Sequence, residues 1–484
     1  MSIITQINLL KKRRTKIIAT LGPASSEPEQ IRKLISAGVN IFRQNMSHGD
    51  HSYHENTYKL VREISAELKQ PIGILADLCG PKIRTGKFKK GSIDLKNNST
   101  VIVTTRDVEG KPGLIPSQYA ALADDVEPDD RILLADGTLE LEVDKIEGTE
   151  ITCTVIYGGT LGNHKGINLP GVKVSAPSLT EKDKEDAKFA LDLGVDFLAL
   201  SFVRSASDIN ELRALINTHE NNANIIAKIE KPEALDDASA ILEAADGIMV
   251  ARGDLGVELN PEQVPVAQHQ LIDLARKKFK PVIVATQMLE SMIENARPTR
   301  AEVTDVAYAV TLGTDAIMLS GETAVGAFPI DAVKMMDRIA RQTESYLWSH
   351  HAYGGKVSEK PSHVAIPIWD AVANSMAQLA HDLKVHAVVV ISHSGMSAAT
   401  MSSARPAAPV VAITSRPDVS RKMALLWSVV PVISEKAGKI NPNELAKQIV
   451  IDEGLALPGE QVLLVRGFHG EKNLNIPSVT VLTI

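Results

Sequence analysis

Eight short runs rich in Ile, Val, Leu and Ala recur between residues 16 and 321, and their spacing leaves few folds open. They cover 16–21, 40–45, 72–77, 197–202, 225–230, 247–252, 281–286 and 316–321. Each is short and mostly apolar, as a strand covered on both faces of a parallel sheet should be. Between most of them lie stretches with helical periodicity, such as 29–37, 208–217 and 266–278. Eight strands alternating with helices predict an α/β fold, a TIM (β/α)8 barrel.

One interval breaks the rhythm. Residues 78–196 separate the third run from the fourth, and much of this interval reads as short strands and turns, at 92–95, 100–104, 131–134, 139–143 and 151–156. Alternation such as that in 139–143 fits a half-exposed antiparallel strand. Residues 85–169 are therefore expected to form an inserted β-barrel-like domain, leaving 15–84 and 170–349 as the catalytic barrel. In a TIM barrel that loop opens on the C-terminal face, where active sites sit, and an insert there can act as a lid.

A polar, glycine-containing stretch at 350–362 reads as a linker. It opens a C-terminal unit, 350–484, with helices expected at 366–383 and 443–454. Strands are expected at 387–391, 410–414, 429–433, 461–466 and 479–482. This is a second α/β unit with an open sheet. At the other end, 1–14 reads as a short leader helix. Its apolar stretch precedes its basic run, the reverse of a secretory signal, and no apolar run approaches the roughly 20 residues of a membrane span.

The chemistry is carried by polar residues at the ends of apolar runs. In six of the eight runs a charged or hydroxyl residue stands at or just beyond the C-terminal end. They are Arg43, Asn45 and Ser47; Asp77; Lys228 and Glu230; Arg252 and Asp254; Thr286 and Gln287; Ser320 and Glu322. In a barrel these positions converge on one mouth. Solvated strand ends would explain any one of them but not the set, because charges inside Ile-Ile-Ala-Lys-Ile-Glu are costly to bury unpaired.

Glu230 and Asp254 are carboxylates from neighbouring strands, and hard oxygen ligands with room for water and phosphate suit Mg²⁺ or Mn²⁺. Lys228, two residues before Glu230, points to the same side of its strand. Arg43 adds a planar fork suited to phosphate. A metal, a lysine and an arginine meet the needs of phosphoryl transfer, where catalysis is mostly positioning and charge stabilisation. There is no Walker A motif and no kinase glycine loop, so a nucleotide must be held by another geometry.

Composition narrows the class further. A net charge of −7 argues against general nucleic-acid binding and requires a local positive site for any phosphorylated substrate. The two cysteines, Cys79 and Cys153, are far apart and form neither a disulfide framework nor a zinc site, which favours a reducing, cytoplasmic setting.

Ten segments, at 15–25, 42–49, 80–86, 165–171, 179–183, 225–230, 249–258, 285–292, 298–307 and 318–324, resemble the pyruvate kinase family in the order in which they occur. They include Phe-Arg-Gln-Asn-Met-Ser-His-Gly, Met-Val-Ala-Arg-Gly-Asp-Leu-Gly-Val-Glu and Met-Leu-Ser-Gly-Glu-Thr-Ala. The resemblance implies transfer of the phosphoryl group of phosphoenolpyruvate to ADP, giving pyruvate and ATP in glycolysis. It implies that Arg43 holds the phosphoryl group, that Lys228 stabilises it in transit, and that Glu230 and Asp254 bind Mg²⁺. Backbone N–H groups of Gly253 and Asp254, at the start of a short helix, would hold the substrate carboxylate. Thr286 would help deliver the proton to the methylene carbon. Arg84 and the lid's Lys165 would contact ADP phosphates, with His48 near the nucleotide. Ser320 and Glu322 would join a proton-relaying water network, and a second divalent ion would arrive with the nucleotide.

The chain departs from the family's pattern in one place. Many members use K⁺, held by counterparts of Asn45, Ser47, Asp77 and the Leu78 carbonyl, and carry Thr-Lys-Gly-Pro-Glu where this chain has Leu78-Cys79-Gly80-Pro81-Lys82. Lys82 replaces an acid with a base and could supply the charge that K⁺ otherwise provides, so K⁺ is expected not to be required. The alternative is that Lys82 points to solvent and K⁺ still binds. Cys79 reads as a space-filling residue.

In the C-terminal unit, Ser392-His393-Ser394-Gly395-Met396-Ser397 follows an apolar strand and opens a helix-like stretch over 398–404. Ser392, Ser394, Gly395 and Ser397 could cradle a phosphate, with 467–470 closing over it, or the stretch could be an ordinary helix with a serine cap. The family places an allosteric effector here, usually a phosphorylated sugar or nucleotide, and is usually a homotetramer. Two other readings remain at this point: a metal-dependent aldolase or mutase using phosphoenolpyruvate or pyruvate, and a catalytically silent scaffold paralogue.

Overall fold

The eight runs are apolar on both sides because they meet two different interiors. Ile18, Ile41, Leu75, Phe197, Ile226, Met249, Ile283 and Met318 fill the inside of a closed barrel. Their neighbours Ile17, Ile74, Leu198, Ile225, Ile248, Val282 and Ile317 face the surrounding helices. A strand buried on both faces has no polar side to alternate with. The computed structural model describes residues 12–220, 222–350, 366–468 and 475–484. Most of the expected leader helix and linker lies outside the described residues.

In chain order the strands begin with β1 (Lys16–Thr20), β2 (Ile41–Asn45) and β3 (Gly73–Asp77). The insert supplies β4 (Ser92–Leu95), β5 (Thr100–Thr104), β6 (Leu114–Pro116), β7 (Arg131–Leu134), β8 (Leu139–Glu147), β9 (Glu150–Tyr157), β10 (Gly159–Gly162) and β11 (Ile167–Asn168). The barrel resumes with β12 (Phe197–Leu200), β13 (Asn224–Ile229), β14 (Gly247–Ala251), β15 (Val282–Ala285) and β16 (Ala316–Leu319). All neighbouring pairs are parallel, and β1 closes the circle against β16 with Lys16 opposite Ala316. The expected TIM barrel is therefore present, with its insert between β3 and β12.

Local sequence sets the helix ends. Thr180 and Asp183 form a capping box ahead of the helix Glu181–Leu193, and Thr299 and Glu302 do the same for Arg300–Leu312. Both helices stop at a glycine in the left-handed region, Gly194 (φ 88°) and Gly313 (φ 84°).

The lid has a core of its own around Val103, Ile132, Leu141, Cys153 and Val155. Its larger sheet runs β11-β7-β8-β9-β5-β6, and β10 pairs with β4 beside it. Three strands escape the sequence reading. β6 is an edge strand ending in Pro116, β10 is bracketed by glycines, and β11 has only two residues. β8 runs beyond the expected 143 because a register shift between Val143 and Lys145 breaks its alternation.

The C-terminal strands β17 (Val388–Ile391), β18 (Val410–Thr414), β19 (Val429–Ile433), β20 (Gln461–Arg466) and β21 (Ser478–Thr483) form an open sheet in the order β19-β18-β17-β20-β21. Only β21 is antiparallel, against β20. This unit sits under the barrel floor, opposite the lid. Leu425 joins the barrel's interior cluster. Arg421 pairs with Asp196 at 2.7 Å just before β12, and Lys16 Nζ donates to the Val429 carbonyl at 2.6 Å.

Candidate active site

Parallel strands in a barrel deliver their C-terminal ends to one mouth, and the charged residues at these ends meet there. Arg43 on β2 pairs through Nε with Asp77 Oδ2 at 2.6 Å and donates to Thr20 Oγ1 at 3.2 Å. Lys228 on β13 reaches three oxygens: Ser201 Oγ at 2.6 Å, Glu230 Oε1 at 3.0 Å and Asp77 Oδ1 at 3.3 Å. The last contact is an ion pair without hydrogen-bond geometry, since Asp77 Oδ1 accepts no bond. Glu230 Oε2 accepts from the Phe202 N–H at 2.7 Å.

These charges are nearly desolvated, with side-chain exposures of 12% for Lys228 and 1% for Asp77 and Glu230. Burial lowers the pKa of Lys228, but Asp77 and Glu230 outweigh it and hold the value above that of an ordinary lysine, so the group stays cationic. Burial pushes Asp77 up, and the stronger joint pull of Lys228 and Arg43 holds it below the usual carboxylate range. Glu230 is pushed up by burial and by the neighbouring Asp254, against the pull of Lys228. Two carboxylates that repel each other beside a fixed ammonium form a place where further positive charge is welcome.

Strand β15 ends at Ala285, and the chain then turns through two left-handed residues, Thr286 (φ 67°) and Gln287 (φ 53°). A β-branched residue rarely adopts this backbone, and such strain concentrates at functional sites. The turn brings Thr286 Oγ1 to the Gly253 N–H at 2.7 Å, at the start of the helix Arg252–Glu258. The Gly253 N–H expected to hold a substrate carboxylate is thus engaged by the Thr286 hydroxyl in this structure. Arg252 leaves the mouth as well: it pairs with Asp305 at 2.6 Å and donates to the Thr286 carbonyl at 2.7 Å.

Asp254 opens into a cleft of about 280 Å³ between lid and barrel, which also carries Lys82, Arg84, Lys165, Asp136 and Arg204. His48 stands nearby; burial and then Lys82, Arg84 and Arg43 hold its pKa below the ordinary imidazole value. Glu258, which ends the helix that bears Asp254, ties the cleft together. Its Oε1 pairs with Lys231 at 2.8 Å and accepts from the lid's Asn168 at 3.2 Å. Sequence reading missed Lys231, Glu258, Asn168 and Ser201. The first three lie in or beside quoted motifs, but no chemical pattern marks a residue that acts by holding others.

Two of the oxygens proposed for K⁺ have protein donors. Asn45 Oδ1 accepts from the Ser47 N–H at 3.2 Å, and the Leu78 carbonyl accepts from Ser201 Oγ at 2.7 Å. Lys82 is exposed on the cleft wall and Cys79 is half-buried. Glu322 is braced by the Leu289 N–H at 3.0 Å and the Ser320 N–H at 2.7 Å, so its carboxylate fastens loops, and burial raises its pKa.

The pyruvate kinase barrel-domain family model matches residues 12–333, and the pyruvate kinase alpha/beta-domain model matches 370–480. The chain belongs to the pyruvate kinase family. It is 48% identical to "Pyruvate kinase 2" of Synechocystis over 87% of this chain and 71% of that protein. It is 43% identical to a Geobacillus stearothermophilus pyruvate kinase over 94% of this chain and 78% of that one. Among solved structures, a pyruvate kinase from Cryptosporidium parvum superposes with a TM-score of 0.88 at 36% identity, covering 98% of both chains. The chain is thus an enzyme, a phosphotransferase of the pyruvate kinase type acting between phosphoenolpyruvate and ADP. The comparisons support this reading and not the aldolase, mutase or silent-scaffold alternatives.

Pyruvate kinases need a divalent metal, and this mouth fits one. Among the described residues no group of three or more His, Cys, Asp or Glu could hold an ion by itself. Glu230 and Asp254 are two hard carboxylates, and the charge of Asp254 adds to the raised proton affinity of Glu230; a bound ion would keep its other coordination positions for water and substrate oxygens.

In the C-terminal unit of this pyruvate kinase, the helix begins at Met396, earlier than expected, and runs to Ser403. Its cap is Gly395 (φ 89°) with no side-chain cap bond, so the ordinary serine-capped alternative does not hold. Ser392 Oγ accepts from the Gly395 N–H at 3.1 Å and closes the loop, while Ser397 is buried in the first turn. Ser394 lies exposed between them. Of 467–470, residues 469 and 470 lie outside the described residues.

Proposed function

We propose that Arg43 and Lys228 carry the phosphoryl group from phosphoenolpyruvate to ADP. The observation behind this is the fixed cation: Lys228 is held by Asp77, Glu230 and Ser201 with almost no solvent contact. A preorganised ammonium needs no reorientation when charge develops on the group in flight. Arg43, locked by Asp77, offers the rest of its guanidinium to the same group. A divalent ion bound by Glu230 and Asp254 would add positive charge on the substrate oxygens. Thr286 would help deliver the proton to the methylene carbon by releasing its 2.6 Å bond to the Ala285 carbonyl. The Gly253 N–H would turn from Thr286 to the substrate carboxylate, with the Asp254 N–H beside it. Arg84 and Lys165 would hold ADP phosphates, with His48 at the edge of the nucleotide. Ser320 would join the proton-relaying waters, with Glu322 fixing its loop.

Lys82 stands in for K⁺ in this proposal. Its ammonium shares the neighbourhood of His48 and Arg84, and the Asn45 and Leu78 oxygens already have protein donors. The Ser392–Ser397 loop would take a phosphorylated effector, which Gly395 and the hydroxyls of Ser394 and Ser397 would contact. The unit boundaries proposed are 15–84 with 170–349, 85–169 and 350–484. A cytoplasmic homotetramer is the proposed working form, checked by solution mass and saturation curves.

The test is ADP-dependent pyruvate formation with Mg²⁺, once in K⁺ buffer and once in buffer free of K⁺ and Na⁺. Activity in both supports the whole reading. Activity only in K⁺ keeps the transferase and removes the stand-in role of Lys82. Folded protein inactive in both overturns the assignment of Arg43 and Lys228.

A further inference from the structure

Beneath the barrel, two arginines from different units approach each other with donors that no acceptor among the described residues takes. Arg405 is 5% exposed and follows the helix Met396–Ser403. Its Nη1 serves Asp315 Oδ1 and the Ser402 carbonyl, both at 3.0 Å, and its Nη2 serves the Gly313 carbonyl at 2.6 Å. Its guanidinium lies over the Trp427 ring at 4.9 Å. Its Nε is buried and unpaired. Arg276, on the barrel helix Val264–Lys277, has a buried, unpaired Nε, and its side chain makes no hydrogen bond or ion pair among the described residues.

The two groups converge on Gly313. A Cβ placed there would lie 3.4 Å from Arg276 Nη1 and 3.7 Å from Arg405 Nε. The space they share is a cavity of about 10 Å³, which Lys280, Asp315, Ser402 and Ser403 also line. Its other polar groups are committed. Asp315 accepts from Arg405, from the Trp427 N–H at 3.1 Å and from the Val282 N–H at 3.0 Å. Lys280 donates to the Ala245 carbonyl, Ser402 to the Trp427 carbonyl and Ser403 to the Thr400 carbonyl. Arg276 and Arg405 thus share the neighbourhood of one carboxylate, Asp315, which Arg405 and two backbone N–H groups already engage. The strain appears on Arg276, whose pKa falls to about 10 through burial and then Arg405, against Asp315 and Asp273.

We infer that this cavity binds one small inorganic anion of chloride size, shared between Arg276 and Arg405. Room for about one water molecule suits a halide better than a phosphoryl group or a nucleotide. Opposite charge there would relieve the repulsion of two partly desolvated guanidiniums and supply the acceptor that their free donors lack. The ion would brace the joint between the helix that starts at the effector loop and Asp315, which leads into β16.

Crystals of the full chain grown or soaked in bromide should show an anomalous peak within hydrogen-bonding reach of Arg276 Nη1 and Arg405 Nε. A map without bromide at this place overturns the proposal. In solution, thermal unfolding is compared in chloride and in gluconate, at fixed ionic strength and pH, for the native chain and for Arg276→Gln. The native chain should lose about 2 °C or more of its midpoint in gluconate. Arg276→Gln should unfold at the same temperature in both salts. An equal chloride response in the two proteins overturns the proposal as well.

Discussion

Lys231 and Glu258 form a buried ion pair at 2.8 Å that joins the two strand ends supplying the carboxylates of the mouth. Lys231 follows Glu230 directly, and Glu258 closes the short helix that carries Asp254. The same Glu258 oxygen accepts from Asn168 on the lid, so lid and metal-side carboxylates share one support. Glu258→Gln removes the charge and keeps an acceptor. It should raise KM for ADP several-fold with a smaller loss in kcat, whereas Glu258→Ala, which strands a buried lysine, should also cost about 3–5 kcal/mol of stability. Steady-state kinetics with urea unfolding separates the two, and unchanged ADP kinetics in Glu258→Gln would refute the coupling.

Lys228→Met should fold, because the ammonium it removes leaves Asp77 still paired with Arg43. Its kcat should fall by a factor of about 10²–10³, the usual effect of deleting one preorganised charge donor. The readout is pyruvate formation at saturating phosphoenolpyruvate and ADP. A variant that lost only substrate affinity would mean that Lys228 binds but does not stabilise the group in transit.

Lys82→Glu restores the family's acid. If Lys82 replaces K⁺, this variant should be nearly inactive without monovalent cation and recover on adding K⁺, while the native chain stays active in both buffers. Equal activity of the two proteins in K⁺-free buffer would show that Lys82 has no such role.

The barrel was legible because its signal is local: eight runs, each apolar on both sides, six of them with a charged or hydroxyl residue at the mouth end. The Lys228–Glu230 spacing likewise placed both on one side of β13 before any coordinates. What was hidden depends on contacts distant in sequence. Nothing near Thr286 announces its left-handed turn, and the loss of the Gly253 N–H to its hydroxyl follows from that turn. Ser201 looks like any strand-end serine until Lys228, 27 residues later, lies 2.6 Å from it. The edge strands β6, β10 and β11 are held by their neighbours, since a proline end, bracketing glycines and two residues carry no pattern of their own.

Lys16 offers a pH prediction. Burial and then Arg13 bring its pKa down to about 7, against the pull of Glu344. Between that value and the ordinary lysine value the unfolded chain binds the extra proton, so stability should rise with pH above about 7, by on the order of 1–4 kcal/mol in all. Below 7 both states are protonated and the folded chain bears the full cost of the buried charge. Urea midpoints of the native chain and Lys16→Met at pH 7, 8 and 9 should diverge in favour of the native chain as pH increases. A constant difference would show that Lys16 is not neutralised on folding.

Leu425 has a consequence for the descent of the molecule. The catalytic cylinder borrows its cork from the part of the chain that bears the Ser392–Ser397 loop. Cut away from that part, it would be a tube open to water at its base, with Ile18, Leu75 and Met249 facing the leak. The C-terminal unit and the barrel can therefore drift apart in sequence but not in inheritance, because a lineage that discarded the one would have to invent a new floor for the other.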